Sequence, residues 1–228
     1  MTTSDEGFDM TIFYVLILIS AITGYLFGGI NGAIILSKTL YGKDIREYGS
    51  KNPGFTNYKR VFGNGVSTWC VMLIDIAKTL VPVLVFSNLF AYYNHSYAFG
   101  AAFTGLFCMI GHAYPVWYRF KGGKTFMAFA TTVWFVDLRM ALVFLAVFLI
   151  VLFTIKFMSF SSMLAATSCP VSILFFGYDN KAVPFVLFAC AALLIWRHKE
   201  NIIRLAKGTE SKFSLFSKKS MESKKTEA

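Results

Sequence analysis

The chain has 228 residues, of which 56% are hydrophobic, and its mean hydropathy is +0.59. These values exclude an ordinary soluble globular composition and favour a chain embedded in lipid. A formal net charge of +10 would suit a nucleic-acid partner in a soluble protein. In a membrane protein it more often reflects topology and attraction to anionic head groups, so no nucleic-acid partner is expected.

Apolar runs along the sequence predict an all-α fold, a polytopic transmembrane helical bundle of about seven spans. About 20 apolar residues cross a hydrocarbon core of about 30 Å, and a helix in lipid bonds its own backbone groups. The predicted spans lie at residues 10–36, 64–87, 97–118, 126–136, 140–157, 163–178 and 183–197. The fourth is short and the third contains Gly111 and Pro115, so five or six spans is the alternative. The first is expected to be retained, because its leader carries Asp5, Glu6 and Asp9 where a signal peptide has basic residues.

The distribution of basic residues predicts the orientation of the bundle. If the amino terminus lies outside, the segments facing the cytoplasm hold 19 of the 22 Lys and Arg residues. The positive-inside rule therefore favours an outer amino terminus and a cytoplasmic carboxyl terminus. Residues 1–210 are predicted to form one integral-membrane domain, and residues 211–228, rich in Lys and Ser, a basic and disordered cytoplasmic tail.

The first polar segment, GSKNPGFTNYKR at residues 49–60, has the composition of an anion site. Its Gly and Pro residues permit a tight turn that exposes N–H groups, and its Ser, Thr and Asn residues supply neutral donors. Arg60 adds a planar fork suited to phosphate oxygens. An ordinary basic loop between helices is the alternative, and composition alone does not decide between them.

Asp75 and Lys78 are charged residues inside the second apolar run. Their i, i+3 spacing lets them pair on one helix face, away from lipid, where an unpaired charge would be costly. A structural ion pair and a contact with substrate both remain open.

The second polar segment, GHAYPVWYRFKGGKT at residues 111–125, places two glycines between Lys121 and Lys124, just before a predicted helix. Backbone N–H groups, the positive helix end and two ammonium groups can bind phosphate there. A Walker A loop is disfavoured because its pattern requires Gly where Tyr118 stands. His112 is expected to be a hydrogen-bonded structural residue.

The third polar segment, WRHKENIIRL at residues 196–205, follows the last span. His198 and Asn201 are three residues apart and share a face if the helix continues. A basic anchor for anionic head groups is the alternative. The predicted topology puts all three polar segments on one side of the membrane.

Together these segments resemble the bacterial membrane glycerol-3-phosphate acyltransferases that use acyl phosphate as donor, the PlsY family. The family pattern GSGNPGATNxxR is similar to GSKNPGFTNYKR, GHxxPVxxxFKGGKG to GHAYPVWYRFKGGKT, and RHxxNIxRL to RHKENIIRL. The family's DxxKG resembles residues 75–79. Lys51, Thr79 and Thr125 stand where the family pattern has glycine.

The resemblance implies an enzyme of the bacterial cell membrane whose active site faces the cytoplasm. It would move a fatty acyl group from acyl phosphate to the sn-1 hydroxyl of glycerol 3-phosphate, giving lysophosphatidic acid and phosphate, without a cofactor or metal. The implied catalytic residues are Ser50, Arg60, Lys121, Lys124, His198 and Asn201. The implied substrate-binding residues are Asn52, Thr56, Asn57, Gly122, Gly123 and, more weakly, Ser162. The proton acceptor is His198 or the departing phosphate.

A transporter for an organic phosphate is the alternative function, since a basic site at a broken helix would also suit a carrier. The gathering of polar segments on one face argues against it, because an alternating-access site should lie near the midplane of the bilayer. An enzyme would form product in detergent, whereas a carrier would not. The sequence leaves the oligomeric state and the acyl chain length open.

Overall fold

The computed structural model describes residues 3–94, 96–178 and 180–213, and within these ranges the fold is entirely helical. The described residues form ten α-helices: α1 Thr3–Gly28, α2 Gly32–Tyr41, α3 Phe55–Phe62, α4 Val66–Asn94, α5 Tyr97–Ala113, α6 Phe126–Val136, α7 Leu138–Ile155, α8 Met158–Phe176, α9 Ala182–Arg197 and α10 Lys199–Ala206. Helices occupy most of each predicted apolar run, so the predicted all-α fold class is confirmed.

The first predicted span is not one continuous helix. The structure breaks it between Gly28 and Gly32, where Asn31 caps α2 by accepting a hydrogen bond from the amide of Ile34 at 3.0 Å. An Asn in extended conformation before a helix is a strong start signal, which the apolar pattern concealed. The Asn31 amide also donates to the Pro53 carbonyl at 3.0 Å, and so ties this break to the first polar segment.

Five stretches of the described chain are long and apolar enough to cross a membrane, and α9 with α10 makes a sixth if that bent pair is one span. Helix α6 has only 11 residues and is about 16 Å long, short of the hydrocarbon thickness. The chain is therefore a multi-pass membrane protein, and seven crossings remain a prediction.

Contacts between loops show that the long helices run back and forth between two ends of the bundle. At one end the Tyr178 hydroxyl donates to the Val136 carbonyl at 2.9 Å, and the Asn180 amide donates to Ser96 at 2.8 Å. At the other end the Tyr25 hydroxyl donates to the Tyr114 carbonyl at 2.8 Å. All three polar segments lie at this second end, which we call the polar end.

Helices α1 and α5 pack with their backbones in close approach near the polar end. A Cβ atom added to Gly28 would lie 2.2 Å from the Cys108 carbonyl oxygen, and one added to Gly111 would lie 2.0 Å from the Tyr25 carbonyl oxygen. Small residues at such crossings let transmembrane helices meet without steric conflict. This pairing fixes the start of the second polar segment against the break between α1 and α2.

Candidate functional site

A cavity of about 780 Å³ at the polar end collects residues from all three polar segments. Its polar wall includes Ser50, Asn52, Thr56, Asn57, Arg60, Asp75, His112, Lys124, Ser159, Ser162, His198, Asn201, Arg204 and Glu210. Its apolar wall includes Phe55, Met72, Phe126, Met127, Phe148 and Met158. A polar region beside an apolar one suits a ligand with an anionic head and a hydrocarbon tail.

The loop of the first segment is built around Asn57. The Asn57 side-chain oxygen accepts the Ser50 amide at 2.8 Å, and its NH₂ group donates to the Tyr48 carbonyl at 3.0 Å. Gly49 has a φ of +58°, and a Cβ there would lie 2.3 Å from the Asn57 oxygen. Asn57, predicted to bind substrate, therefore also holds the turn that presents Ser50.

Two of the three departures from the family's glycines fall in left-handed backbone. Lys51 has a φ of +59° and Thr125 a φ of +65°, a conformation that costs an L-residue about 1–2 kcal/mol and glycine almost nothing. The third, Thr79, lies in helix α4 and needs no such freedom. The buried Thr125 hydroxyl has no hydrogen-bond partner and lines the cavity.

Asp75 and Lys78 form the predicted ion pair, with the Lys78 ammonium 2.8 Å from the Asp75 carboxylate and both side chains 2% exposed. The Lys78 ammonium is also 2.7 Å from His112 Nδ1 and donates to the Ile30 carbonyl at 2.5 Å. Because an ammonium can only donate, His112 Nδ1 accepts and Nε2 carries the hydrogen. The cluster joins α4, α5 and the break after α1, and its Asp75 and His112 also face the cavity.

The glycine pair of the second segment does not present its amides to the cavity as the sequence suggested. The Gly122 amide donates to the Ala113 carbonyl at 3.2 Å, and the Gly123 amide donates to the His112 carbonyl at 2.9 Å. These bonds satisfy carbonyls at the end of α5, which would otherwise lack partners. Arg197 completes the arrangement by donating to both glycine carbonyls at 3.0 Å.

The two lysines beside these glycines point to different places. Lys124 lines the main cavity, whereas Lys121 lines a separate cleft of about 480 Å³ with Lys38, Arg46 and Trp117. Gly122 borders a smaller cleft of about 150 Å³ that also touches Ser50 and Lys124.

Lys124 is the cation that the second segment contributes to the cavity. Its ammonium donates to the Asn201 side-chain oxygen at 2.5 Å. Burial, together with the nearby charge of Arg204, lowers the pKa of Lys124 to about 8. A lysine in this state still carries a proton near neutral pH, and an incoming phosphate would favour that charged form.

The third segment bends at His198, where α9 and α10 meet at 58°. His198 Nδ1 lies 2.8 Å from the Leu194 carbonyl oxygen, so this nitrogen carries the hydrogen and Nε2 of the neutral ring is an acceptor. His198 and Asn201 are 4% and 6% exposed. The predicted helix does not continue straight, but the bend keeps both residues on the cavity.

Sequence reasoning missed Ser159 and Glu210 and did not single out Arg204, which all line the cavity. Ser159 and Ser162 belong to the first turns of α8, and the Ser162 hydroxyl donates to the Met158 carbonyl at 2.7 Å. Glu210 is the one acidic residue between positions 201 and 221. This isolated negative charge could have marked it, but the basic composition of the tail drew attention away from a single carboxylate.

The basic tail predicted at residues 211–228 begins on the domain itself. Ser211 accepts a hydrogen bond from Arg60 at 2.9 Å, and the Phe213 amide donates to the Lys156 carbonyl at 2.6 Å. Residues 214–228, to which most of the disorder prediction applies, lie outside the described residues.

The profile of the family described as glycerol-3-phosphate acyltransferase matches residues 18–208. A relative of that name from Fusobacterium nucleatum subsp. nucleatum is 31% identical over 189 residues, which cover 83% of this chain and 94% of the relative. Another, from Burkholderia thailandensis, is 33% identical over 197 residues, covering 86% and 95%.

Two crystal structures have the same fold. The glycerol 3-phosphate form of PlsY (YgiH), an integral membrane glycerol 3-phosphate acyltransferase, superimposes with a TM-score of 0.75 at 32% identity and covers 87% of this chain and 96% of that one. The lysophosphatidic acid form gives a TM-score of 0.71 at 33% identity, with 87% and 95% covered.

Proposed function

The chain belongs to the glycerol-3-phosphate acyltransferase family, and we propose that it transfers a fatty acyl group from acyl phosphate to glycerol 3-phosphate. The products would be lysophosphatidic acid and inorganic phosphate. The observation that carries the proposal is the single cavity in which Arg60, Lys124 and Arg204 stand beside an apolar wall. The names of the relatives support glycerol 3-phosphate as the acyl acceptor. The proposal of acyl phosphate as the donor rests on the resemblance of the motifs.

The reaction requires that two anionic substrates meet at attack distance. The primary hydroxyl of glycerol 3-phosphate attacks the acyl carbonyl carbon and forms the ester C–O bond. The C–O bond to the phosphate then breaks, and phosphate leaves with the electron pair. Because the mixed anhydride is already activated, the work of the protein is positioning and charge neutralisation.

The cationic side chains of the cavity can oppose the repulsion between the two head groups. Arg60, Lys124 and Arg204 reach it from three different segments. The cavity carries two carboxylates in the described chain, Asp75 and Glu210, and each is bonded to a cation. The hydroxyls of Ser50 and Thr56 and the amide of Asn52 add neutral donors.

Two routes remain for the proton of the attacking hydroxyl. His198 lines the cavity, and its Nδ1 faces the Leu194 carbonyl, which leaves Nε2 as an acceptor suited to a general base. The departing phosphate is itself a base and could take the proton directly. Both routes require the same cations to hold the substrates.

The cavity is proposed to open at the cytoplasmic face of the bacterial cell membrane. The basic residues of the loops around α2 and α3, of the second segment and of α10 are all at the polar end. An excess of Lys and Arg is typical of cytoplasmic loops. The apolar wall would then allow the acyl chain to remain in the lipid while the head group reacts.

The test is an assay of the purified protein in detergent with radiolabelled glycerol 3-phosphate. With an acyl phosphate we expect labelled lysophosphatidic acid and an equal amount of inorganic phosphate. Acyl coenzyme A in place of acyl phosphate should give no product. Product from acyl coenzyme A alone would contradict the donor, and the absence of any product would contradict the activity and favour a carrier.

A further inference from the structure

The carboxylate of Glu210 lies in the main cavity beside Arg204, with its side chain 8% exposed. One oxygen accepts from the Ser159 hydroxyl and from the Asn201 NH₂ group, each at 2.7 Å, and the other accepts from Arg204 Nε at 2.7 Å. A turn at Gly208, with a φ of +67°, returns the chain from α10 to bring the carboxylate there.

We propose that Glu210 is a positioning residue for the acyl transfer: it orients the Asn201 amide, and through it the Lys124 ammonium. The inference rests on the proposed function, which assigns Lys124 to the substrate phosphate. Nothing in the sequence motifs points to Glu210, because it lies beyond the third segment.

The hydrogen-bond chemistry of the three groups allows one arrangement. An ionised carboxylate only accepts, an ammonium only donates, and an amide does both on opposite sides. With Glu210 on the NH₂ side of Asn201, the amide oxygen must face Lys124, as it does at 2.5 Å. Without the carboxylate the amide can turn over and present its NH₂ group to an ammonium that cannot accept.

Glu210 also supports the charge on Lys124. The charged and titratable groups that act on Lys124 are Arg204, Arg197, Glu210, Glu200 and His198. Burial and Arg204 lower the pKa of Lys124, whereas Glu210 raises it. Burial opposes the ionisation of Glu210, but hydrogen bonds from Ser159, Asn201 and Arg204 hold the pKa of that carboxyl below its usual value. Removing the carboxylate should therefore make Lys124 lose its proton at lower pH.

A different role would leave the opposite kinetic signature. If the carboxylate only occupied the place of a substrate phosphate, its removal would relieve competition. The KM for glycerol 3-phosphate would then fall while kcat stayed the same. The positioning role predicts a loss of kcat/KM and a change in the pH profile.

The experiment compares E210Q with wild-type enzyme and with E47Q as matched control, because Glu47 is exposed and lies outside the main cavity. We measure kcat and KM for glycerol 3-phosphate from about pH 6 to about pH 9.5. In E210Q we expect kcat/KM to fall about tenfold or more. We also expect the alkaline limb of the pH profile, the decline of kcat/KM at high pH, to move to lower pH. E47Q should show neither change.

Three outcomes would overturn the inference. These are a lower KM with unchanged kcat, a loss of activity without movement of the alkaline limb, and kinetics equal to wild type. If E210Q does not fold in detergent, E210D is used instead, because its shorter side chain keeps the negative charge but moves the carboxylate away from Asn201. Its kcat/KM should fall while the limb stays in place, and unchanged kcat/KM would reject the role. An inactive wild-type enzyme would instead reject the proposed function.

Discussion

Lys124 is partly buried, donates a hydrogen bond to the Asn201 side chain and has a lowered pKa. It lies among side chains from three polar segments, so its charge acts where the substrates' phosphates would meet. Lys121, three residues earlier, has the same chemistry but lines another cleft. Motif spacing could not separate the two, because the direction of each side chain depends on the turn between them.

Replacing the cavity cations should weaken binding of glycerol 3-phosphate. Loss of a charged hydrogen bond costs about 1.5–3 kcal/mol, so R60A and K124A should each lower kcat/KM by about 10-fold to 100-fold, mainly through KM. Steady-state assays of the purified variants measure this. K121A should have a clearly smaller effect than K124A, and equal losses in the two lysine variants would contradict the placement.

The histidine at the bend should affect turnover more than binding. A general base contributes about 10²-fold to 10⁴-fold to a rate, so H198A should lower kcat within that range if His198 accepts the proton. A smaller loss would favour transfer to the departing phosphate. The thermal unfolding midpoint controls for damage to the bend, because His198 also bonds the Leu194 carbonyl.

The pH dependence should report the state of Lys124. Its pKa in the folded protein is lowered to about 8, so the ammonium is present below that value and is lost as pH rises through it. The kcat/KM for glycerol 3-phosphate should therefore decline above about pH 8. In K124R the limb should move to higher pH or disappear, since a guanidinium keeps its proton. An unchanged limb in K124R would assign it to another group.

At the scale of elements, the loop between α5 and α6 is held by hydrogen bonds to α5 and α9. The amides of Gly122 and Gly123 bond the end of α5, and Arg197 of α9 bonds their carbonyls. This arrangement joins three helices at the polar end and directs Lys124 toward α10. The sequence predicted the glycines as a phosphate loop, which stays a prediction, and in the structure they also form the joint that positions the lysine.

A methyl group at this joint should be harmful. In G122A the added Cβ would lie 2.0 Å from the His112 carbonyl oxygen, and such overpacking costs about 1–3 kcal/mol. We expect a lower unfolding midpoint and a loss of activity. G65A is the matched control, since nothing lies within 4 Å of a Cβ added there. A stable and fully active G122A would show that the loop can move freely.

At the scale of the molecule, hydropathy predicted which parts of the chain form helices but not where those helices begin and end. Helices occupy most of all seven apolar runs, because lipid requires each segment to satisfy its own backbone. The break at Asn31 and the bend at His198 depend on caps and contacts between distant segments, which periodicity does not encode. For the same reason the motifs predicted Ser50, Arg60 and Asn201, while Glu210 appeared only when the chain after α10 was seen to fold back.

The placement of the polar end relative to the membrane can be tested by cysteine labelling. A C70S background suits the test, since Cys70 is partly exposed while Cys108, Cys169 and Cys190 are 0% exposed. Lys51 and Lys199 are exposed near the cavity, and Tyr92, 76% exposed, lies near the opposite end of the bundle. An impermeant maleimide on intact cells should label Y92C, whereas K51C and K199C should react only after the membrane is opened. Labelling of K51C and K199C from opposite sides would contradict a shared cavity, because the first and third of the three segments that supply its cations would then be separated by the bilayer.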